Sequence, residues 1–106
     1  MTNNHFANFH IAGFTYYDGV DVFDELRVGT ILQAVPEPDN PHDELAVALY
    51  YKDTKLGYIP RSCNQYISKL LNHGYTRLFD FKVNRVNPLS EPEGQVGVVV
   101  KIKKNK

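Results

Sequence analysis

Apolar positions along this chain recur mostly at a spacing of two, in short runs closed by glycine, proline, asparagine or aspartate. That pattern marks short, half-buried strands. Phe6 to Tyr17 is rich in aromatic and small residues and reads as a first strand, with Gly13 marking a bulge or a close approach. Asp18-Gly19 signals a turn, and Val20 to Leu26 fits either one helical turn or a tethering loop. Thr30 to Val35 is a further strand, stopped by Pro36. Ala46 to Tyr51 and Leu56 to Ile59 form a hairpin around Asp53-Thr54, and Pro60 ends it. Thr76 to Val86 alternates so that Phe79, Phe81 and Val83 share the inward face. A polar loop from Asn87-Pro88 to Glu93-Gly94 then leads into the last strand, Gln95 to Ile102.

One segment keeps a different period. Cys63, Tyr66, Ile67, Leu70 and Leu71 fall at i, i+3, i+4, i+7 and i+8, one face of a helix. Ser62 followed three residues later by Gln65 has capping-box spacing, and Gly74 after His73 closes the helix. Six short strands and one marked helix predict a mainly β fold: a small six-stranded barrel of the oligonucleotide-binding type with one or two short helices. Closure removes exposed strand edges. A two-layer α+β sandwich is the competitor. In the barrel, the helix Ser62 to His73 is expected to plug one end through Tyr66, Ile67, Leu70 and Leu71.

At 106 residues the chain makes one domain, with a core over about residues 9–102. No apolar run approaches the roughly 18–20 residues of a membrane span. Met1 to His5 carries no basic or apolar leader pattern, and the single cysteine, Cys63, excludes an internal disulfide. A cytoplasmic protein without membrane contact is the expectation. Charge changes the picture more. The net charge is zero, yet Met1 to Leu45 carries eight acids against Arg27 alone, and Ala46 to Lys106 carries eleven bases against four acids. Either the chain presents a basic face to an anion, or the two halves interleave and neutralise each other. The terminal lysines Lys101, Lys103, Lys104 and Lys106 read as a solvated end.

Catalytic chemistry finds little support. The seven glycines never take the spacing of a phosphate loop. His5 and His10 lie near each other in sequence, but His42, Cys63 and His73 would have to converge in space to complete a metal site, so no cofactor is expected. Cys63 sits on the helix's apolar face, where a thiol is ordinarily a small packed group. Asp43 and Glu44 are adjacent and would point apart on a strand. The chain is not expected to be an enzyme.

Three ordered blocks remain: Ile11-Ala12-Gly13-Phe14 with Tyr16-Tyr17; Glu37-Pro38-Asp39-Asn40-Pro41-His42-Asp43 followed by Ala46-Val47; and Gly57-Tyr58-Ile59-Pro60-Arg61 leading into the helix. Their order and spacing resemble the HIRAN domain, whose pattern runs V-A-G, E-P-x-N-P-x-D-x-x-A-V and G-x-(I/L)-P-(R/K). HIRAN domains stand before SWI2/SNF2-type DNA translocases or occur alone in bacteria, and this chain, without a motor, resembles the stand-alone form. The resemblance implies an oligonucleotide-binding-like barrel that engages DNA, in the translocase branch a single-stranded 3′ end, with a DNA-processing protein as a possible partner. Carried over by position, Tyr16 on the first strand would stack a terminal base, with Tyr17 beside it. His42 would stand in for a stacking aromatic, and Asp43 would meet the terminal hydroxyl. Tyr58 and Arg61 would face phosphates. Thr15 replaces a phosphate-contacting arginine of that branch.

Each position also has a plainer role. Asn40 and Asp43 can brace their loop through side-chain-to-backbone bonds. Tyr16 and Tyr17 point opposite ways on a strand, so one of them belongs to the core. Tyr58 can cap the barrel edge. Three functions stay open: a DNA-end or single-strand binding module, a protein-interaction adaptor of the same fold, and a metal-dependent hydrolase in a nucleic-acid setting. A basic groove holding Tyr16, His42 and Arg61 favours the first, and a neutral apolar patch the second.

Overall fold

The computed structural model describes residues 4–90 and 94–103; the sequence start Met1 to Asn3, the loop acids Glu91 and Glu93, and Lys104 and Lys106 lie outside them. Six strands form one antiparallel sheet: β1 (His5–His10), β2 (Ile31–Pro36), β3 (Val47–Tyr51), β4 (Thr54–Tyr58), β5 (Phe79–Val86) and β6 (Val96–Ile102). Their spatial order is β1-β6-β5-β2-β3-β4. The sheet curls into a half-barrel. Beyond β1 the chain meets the far edge again, because Ala12 pairs with Tyr58 in an isolated antiparallel bridge. The N–H of each donates to the other's carbonyl at 2.9 Å. Gly57 permits this approach: at φ 150° a side-chain Cβ there would stand 2.4 Å from the Ala12 carbonyl oxygen.

The alternation in β5 holds. Phe79, Phe81 and Val83 are buried, and they meet Val96, Val98 and Val100 of β6 and Phe9, Ile11, Leu32, Leu49 and Leu56 in one core. The first strand is shorter than its aromatic content predicts. Gly13 adopts a left-handed φ of 72°, so β1 is not extended through it, and Phe14–Tyr16 becomes a 3-10 turn. Tyr16 therefore lies on no strand, and neither Tyr16 nor Tyr17 is core: they are 84% and 36% exposed. Phe14 takes the core place instead, its ring against Gly19, where a Cβ would come within 2.5 Å. The undecided segment is a helical turn, α1 (Gly19–Val22), followed by a 3-10 turn, Phe23–Glu25. The β3–β4 hairpin turns on Lys52-Asp53, one residue earlier than expected, with Lys52 at φ 53° and Tyr51 paired to Thr54. Tyr75 to Leu78 forms a turn closed by Leu78 N–H on the Tyr75 carbonyl, so β5 starts at Phe79 and not at Thr76.

The second helix, α2 (Asn64–Asn72), begins two residues after Ser62. A turn in which Cys63 N–H bonds the Pro60 carbonyl at 2.9 Å precedes it, and no side chain caps its start. The capping box is not formed. Its buried stripe is Asn64, Ile67, Ser68 and Leu71, with Leu70 and Cys63 half-buried and Tyr66 67% exposed. The helix plugs the half-barrel through Ile67 and Leu71, and Tyr66 is not part of the plug. Its end follows the glycine signal: Gly74 N–H bonds the Leu71 carbonyl and Tyr75 N–H the Leu70 carbonyl, a Schellman closure.

The opposed charges of the two halves interleave. Three of the four ion pairs among the described residues, Lys52–Glu25, Lys55–Glu37 and Arg61–Asp43, join the acidic first half to the basic second half. No helix among the described residues is long and apolar enough to cross a membrane.

Candidate functional site

The loop between β2 and β3 is built by its own side chains. Asn40 accepts the N–H groups of His42 at 2.8 Å and Asp43 at 3.2 Å, and its amide donates to Glu37 at 3.1 Å. Asp43 accepts the Leu45 N–H at 2.9 Å on one oxygen and the amide of buried Asn64 at 3.0 Å on the other. These are the bracing roles open to Asx side chains in a proline-broken loop. Arg61 reaches across from the end of the hairpin: it donates to the His42 carbonyl at 2.9 Å, and its Nε lies 3.6 Å from Asp43.

A cleft of about 300 Å³ opens between this loop, the Gly57–Arg61 segment and the first turn. Tyr17, Asn40, His42, Asp43, Tyr58 and Arg61 line it, with Ala12, Ala46 and Ile59 supplying its apolar part. Six of the eight sequence-predicted residues thus converge from three distant segments. Thr15 and Tyr16 do not line the cleft; both are the exposed residues of the Phe14–Tyr16 turn, whose Phe14 is buried. Of the two adjacent tyrosines it is Tyr17, and not the Tyr16 expected to stack, that faces the site.

Glu37 and Lys55, neither of them an expected site residue, hold Tyr58 in place. The Tyr58 hydroxyl donates to Glu37 at 2.7 Å and accepts from Lys55 at 2.6 Å, and Lys55 also bonds the second Glu37 oxygen at 3.2 Å. The Lys55 ammonium stands 4.9 Å from the Tyr17 ring centre and 4.5 Å from that of Tyr58, and the two rings meet edge-on at 5.6 Å. Burial pushes the Glu37 carboxyl up, but hydrogen bonds from Tyr58, Asn40 and Lys55 outweigh it and hold the group below its ordinary 4.5. Burial pulls Lys55 down, and its bonds to Tyr58 and Glu37 reverse this and raise it. Burial raises the Tyr58 phenol, with Glu37 adding to the rise and Lys55 opposing it. Glu37 was visible as the first residue of the loop motif; Lys55, two residues before Gly57, carries no motif signal, and a register shift opposite Leu49 and Tyr50 lets its ammonium reach Tyr58 three residues on.

Electrostatically the site is mixed. Lys55 and Arg61 are each paired with a carboxylate, so the cleft is neither a basic groove nor an apolar patch. Among the described residues no group of three His, Cys, Asp or Glu is placed to hold a metal ion.

The pattern of the HIRAN domain family matches residues 5–103, nearly the whole chain. This chain belongs to the HIRAN family. Members are in general nucleic-acid-binding modules. Two solved structures share the fold. A crystal structure of a protein from Lactobacillus plantarum has 24% sequence identity and a TM-score of 0.75, covering 92% of this chain and 91% of its own. The HIRAN domain of human HLTF has 13% identity and a TM-score of 0.63, covering 92% of this chain and 76% of its own. No curated protein matches this HIRAN chain.

Proposed function

We propose that this HIRAN domain binds single-stranded DNA at a 3′ end through the cleft at Asp43 and Arg61, without catalysis and without a cofactor. One observation carries the reading: Tyr17, His42, Asp43, Tyr58 and Arg61, spread over 45 positions, line one cleft with three aromatic or imidazole rings, a carboxylate and an exposed guanidinium. Single-strand sites combine stacking rings with a cation that meets the backbone. Arg61 spends two contacts on Asp43 and the His42 carbonyl and is 73% exposed, so further donors of its fork remain for a phosphate. Asp43 spends its known bonds on Leu45, Asn64 and Arg61. A carboxylate has about four lone-pair positions, which leaves capacity to accept a terminal hydroxyl. A 3′-phosphate would bring like charge to the same place.

The pairing of both cations favours a second reading, an adaptor of the same fold that binds protein, because a neutralised groove attracts phosphate less. Fluorescence anisotropy on labelled oligothymidine separates the two. Binding at low salt that weakens when the 3′-hydroxyl is phosphorylated supports the DNA-end reading. No binding to either strand at low salt, where phosphate attraction is strongest, overturns it and leaves the adaptor. A DNA-processing protein in the cytoplasm is the setting this activity would suit.

A further inference from the structure

Past the Ala12–Tyr58 bridge the two chain segments stop pairing. Continued in the same antiparallel register, His10 would oppose Pro60 and Asn8 would oppose Ser62. Pro60 has no N–H to give, so the ladder ends there. Ile11 N–H donates to Val96 of β6 at 3.0 Å, whereas Ala12 N–H donates to Tyr58 at 2.9 Å on the other side. The two-residue period of a strand gives Asn8 and His10 the phase of Ala12, so their main-chain groups turn away from β6. The seam opens here into a groove of about 390 Å³, with Asn8 and His10 on one lip, Pro60, Ser62 and Cys63 on the other, and Ala12 at its end. Ala12 also lines the first cleft and is the residue the two linings share.

We infer that this open seam is a second nucleotide subsite. A single strand whose terminal nucleotide occupies the first cleft passes over Ala12 and lays its next base or sugar between Asn8–His10 and Pro60–Ser62. The inference rests on the DNA reading of the first cleft. The lining carries a side-chain amide, an imidazole, a hydroxyl and strand main chain, and no lysine or arginine. Neutral donors and acceptors of that kind suit base edges and sugars; phosphates are met by cations and by positioning contacts. Lengthening the strand therefore adds affinity with little change in salt slope.

Cys63 reports on the groove directly. It is the only cysteine in the chain and is half-buried on the lip. Its rate of labelling by a maleimide is measured on the intact protein, alone and with saturating six-residue oligothymidine or thymidine 5′-monophosphate. The mononucleotide can fill only the first cleft and should leave the rate nearly unchanged. The six-residue strand should slow labelling severalfold and bind about tenfold tighter than the mononucleotide, the gain of one further well-made contact. His10→Ala should remove most of that length advantage while mononucleotide affinity stays the same. A six-residue strand that binds and competes with the mononucleotide, yet leaves Cys63 labelling at the free rate, overturns the subsite while the DNA reading stands. Absence of binding by either ligand defeats the DNA reading, and the subsite with it.

Discussion

The ion pairs Lys55–Glu37 and Arg61–Asp43 each tie a carboxylate of the β2–β3 loop to a cation from the hairpin that follows. Solvent treats them differently. Lys55 and Glu37 are 24% and 26% exposed and share the Tyr58 hydroxyl, so their charges are held by three short bonds. In the second pair Asp43 is 20% exposed but Arg61 is 73% exposed, and the contact is longer, 3.6 Å against 3.2 Å. The difference assigns the two pairs different work. The inner one is part of the frame that fixes Tyr58 and Tyr17; in the outer one the carboxylate is frame and the guanidinium is free to turn to a ligand.

The sharpest way to break this contrast is Lys55→Met, which strands Glu37 half-buried beside Tyr58. A loss of about 2–3 kcal/mol in urea unfolding is expected, as for a partner removed from a largely enclosed charge network. A loss under about 0.5 kcal/mol would put the pair among ordinary surface contacts. The same network sets a pH window. Glu37, held low, stabilises the fold above its ordinary 4.5, and that contribution fades as pH falls through its lower folded value. Lys55 and Tyr58, both raised, stabilise below their ordinary 10.5 and 10.0, and their contributions are lost as pH rises through the folded values. Unfolding midpoints should therefore fall on both sides of a plateau, and Glu37→Gln should flatten the acid side. Unchanged acid sensitivity in that variant would remove Glu37 from the frame.

Asp43→Asn comes next. One amide oxygen cannot accept from Leu45, Asn64 and Arg61 at two separate positions, so a donor is left facing a donor. Thermal unfolding should register about 1–2 kcal/mol. The preference for a free 3′-hydroxyl should shrink as well. Arg61→Ala should cost less than about 0.5 kcal/mol of stability. Its mark is a salt slope of single-strand binding lower by somewhat under one unit, the share of one phosphate contact. Stability loss without a change in slope would make the outer pair a second frame. Smallest of all is Tyr16→Ala: on a turn and 84% exposed, it should leave unfolding unchanged. Tyr17→Ala should lose roughly 1–3 kcal/mol of binding, one stacked base. The reverse order would return the stacking role to Tyr16.

Local rules carried far in this chain. Alternation in β5 named its inward residues, glycine after His73 ended α2, and proline, asparagine and aspartate together declared an ordered loop whose Asn40 and Asp43 brace it by bonds reaching only two or three residues. Such features are decided by neighbours in sequence, so the sequence alone determines them. Three others were decided only when distant segments met. The first strand stops at His10, because Ala12 turns to pair with Tyr58 at the far edge and Gly13 then turns left-handed, leaving Phe14 to pack against Gly19. Lys55 matters because curling of the sheet brings Glu37 to it from another strand's end. The helix buries Asn64 and Ser68 while Tyr66 faces water, against the order of hydrophobicity, because Asn64 finds the Asp43 carboxylate 21 residues away and Asn72 bonds Ser68. A hydrophobic pattern ranks side chains by their cost in isolation. Once a partner satisfies it, a buried amide loses most of that cost, and the partner exists only in the folded chain.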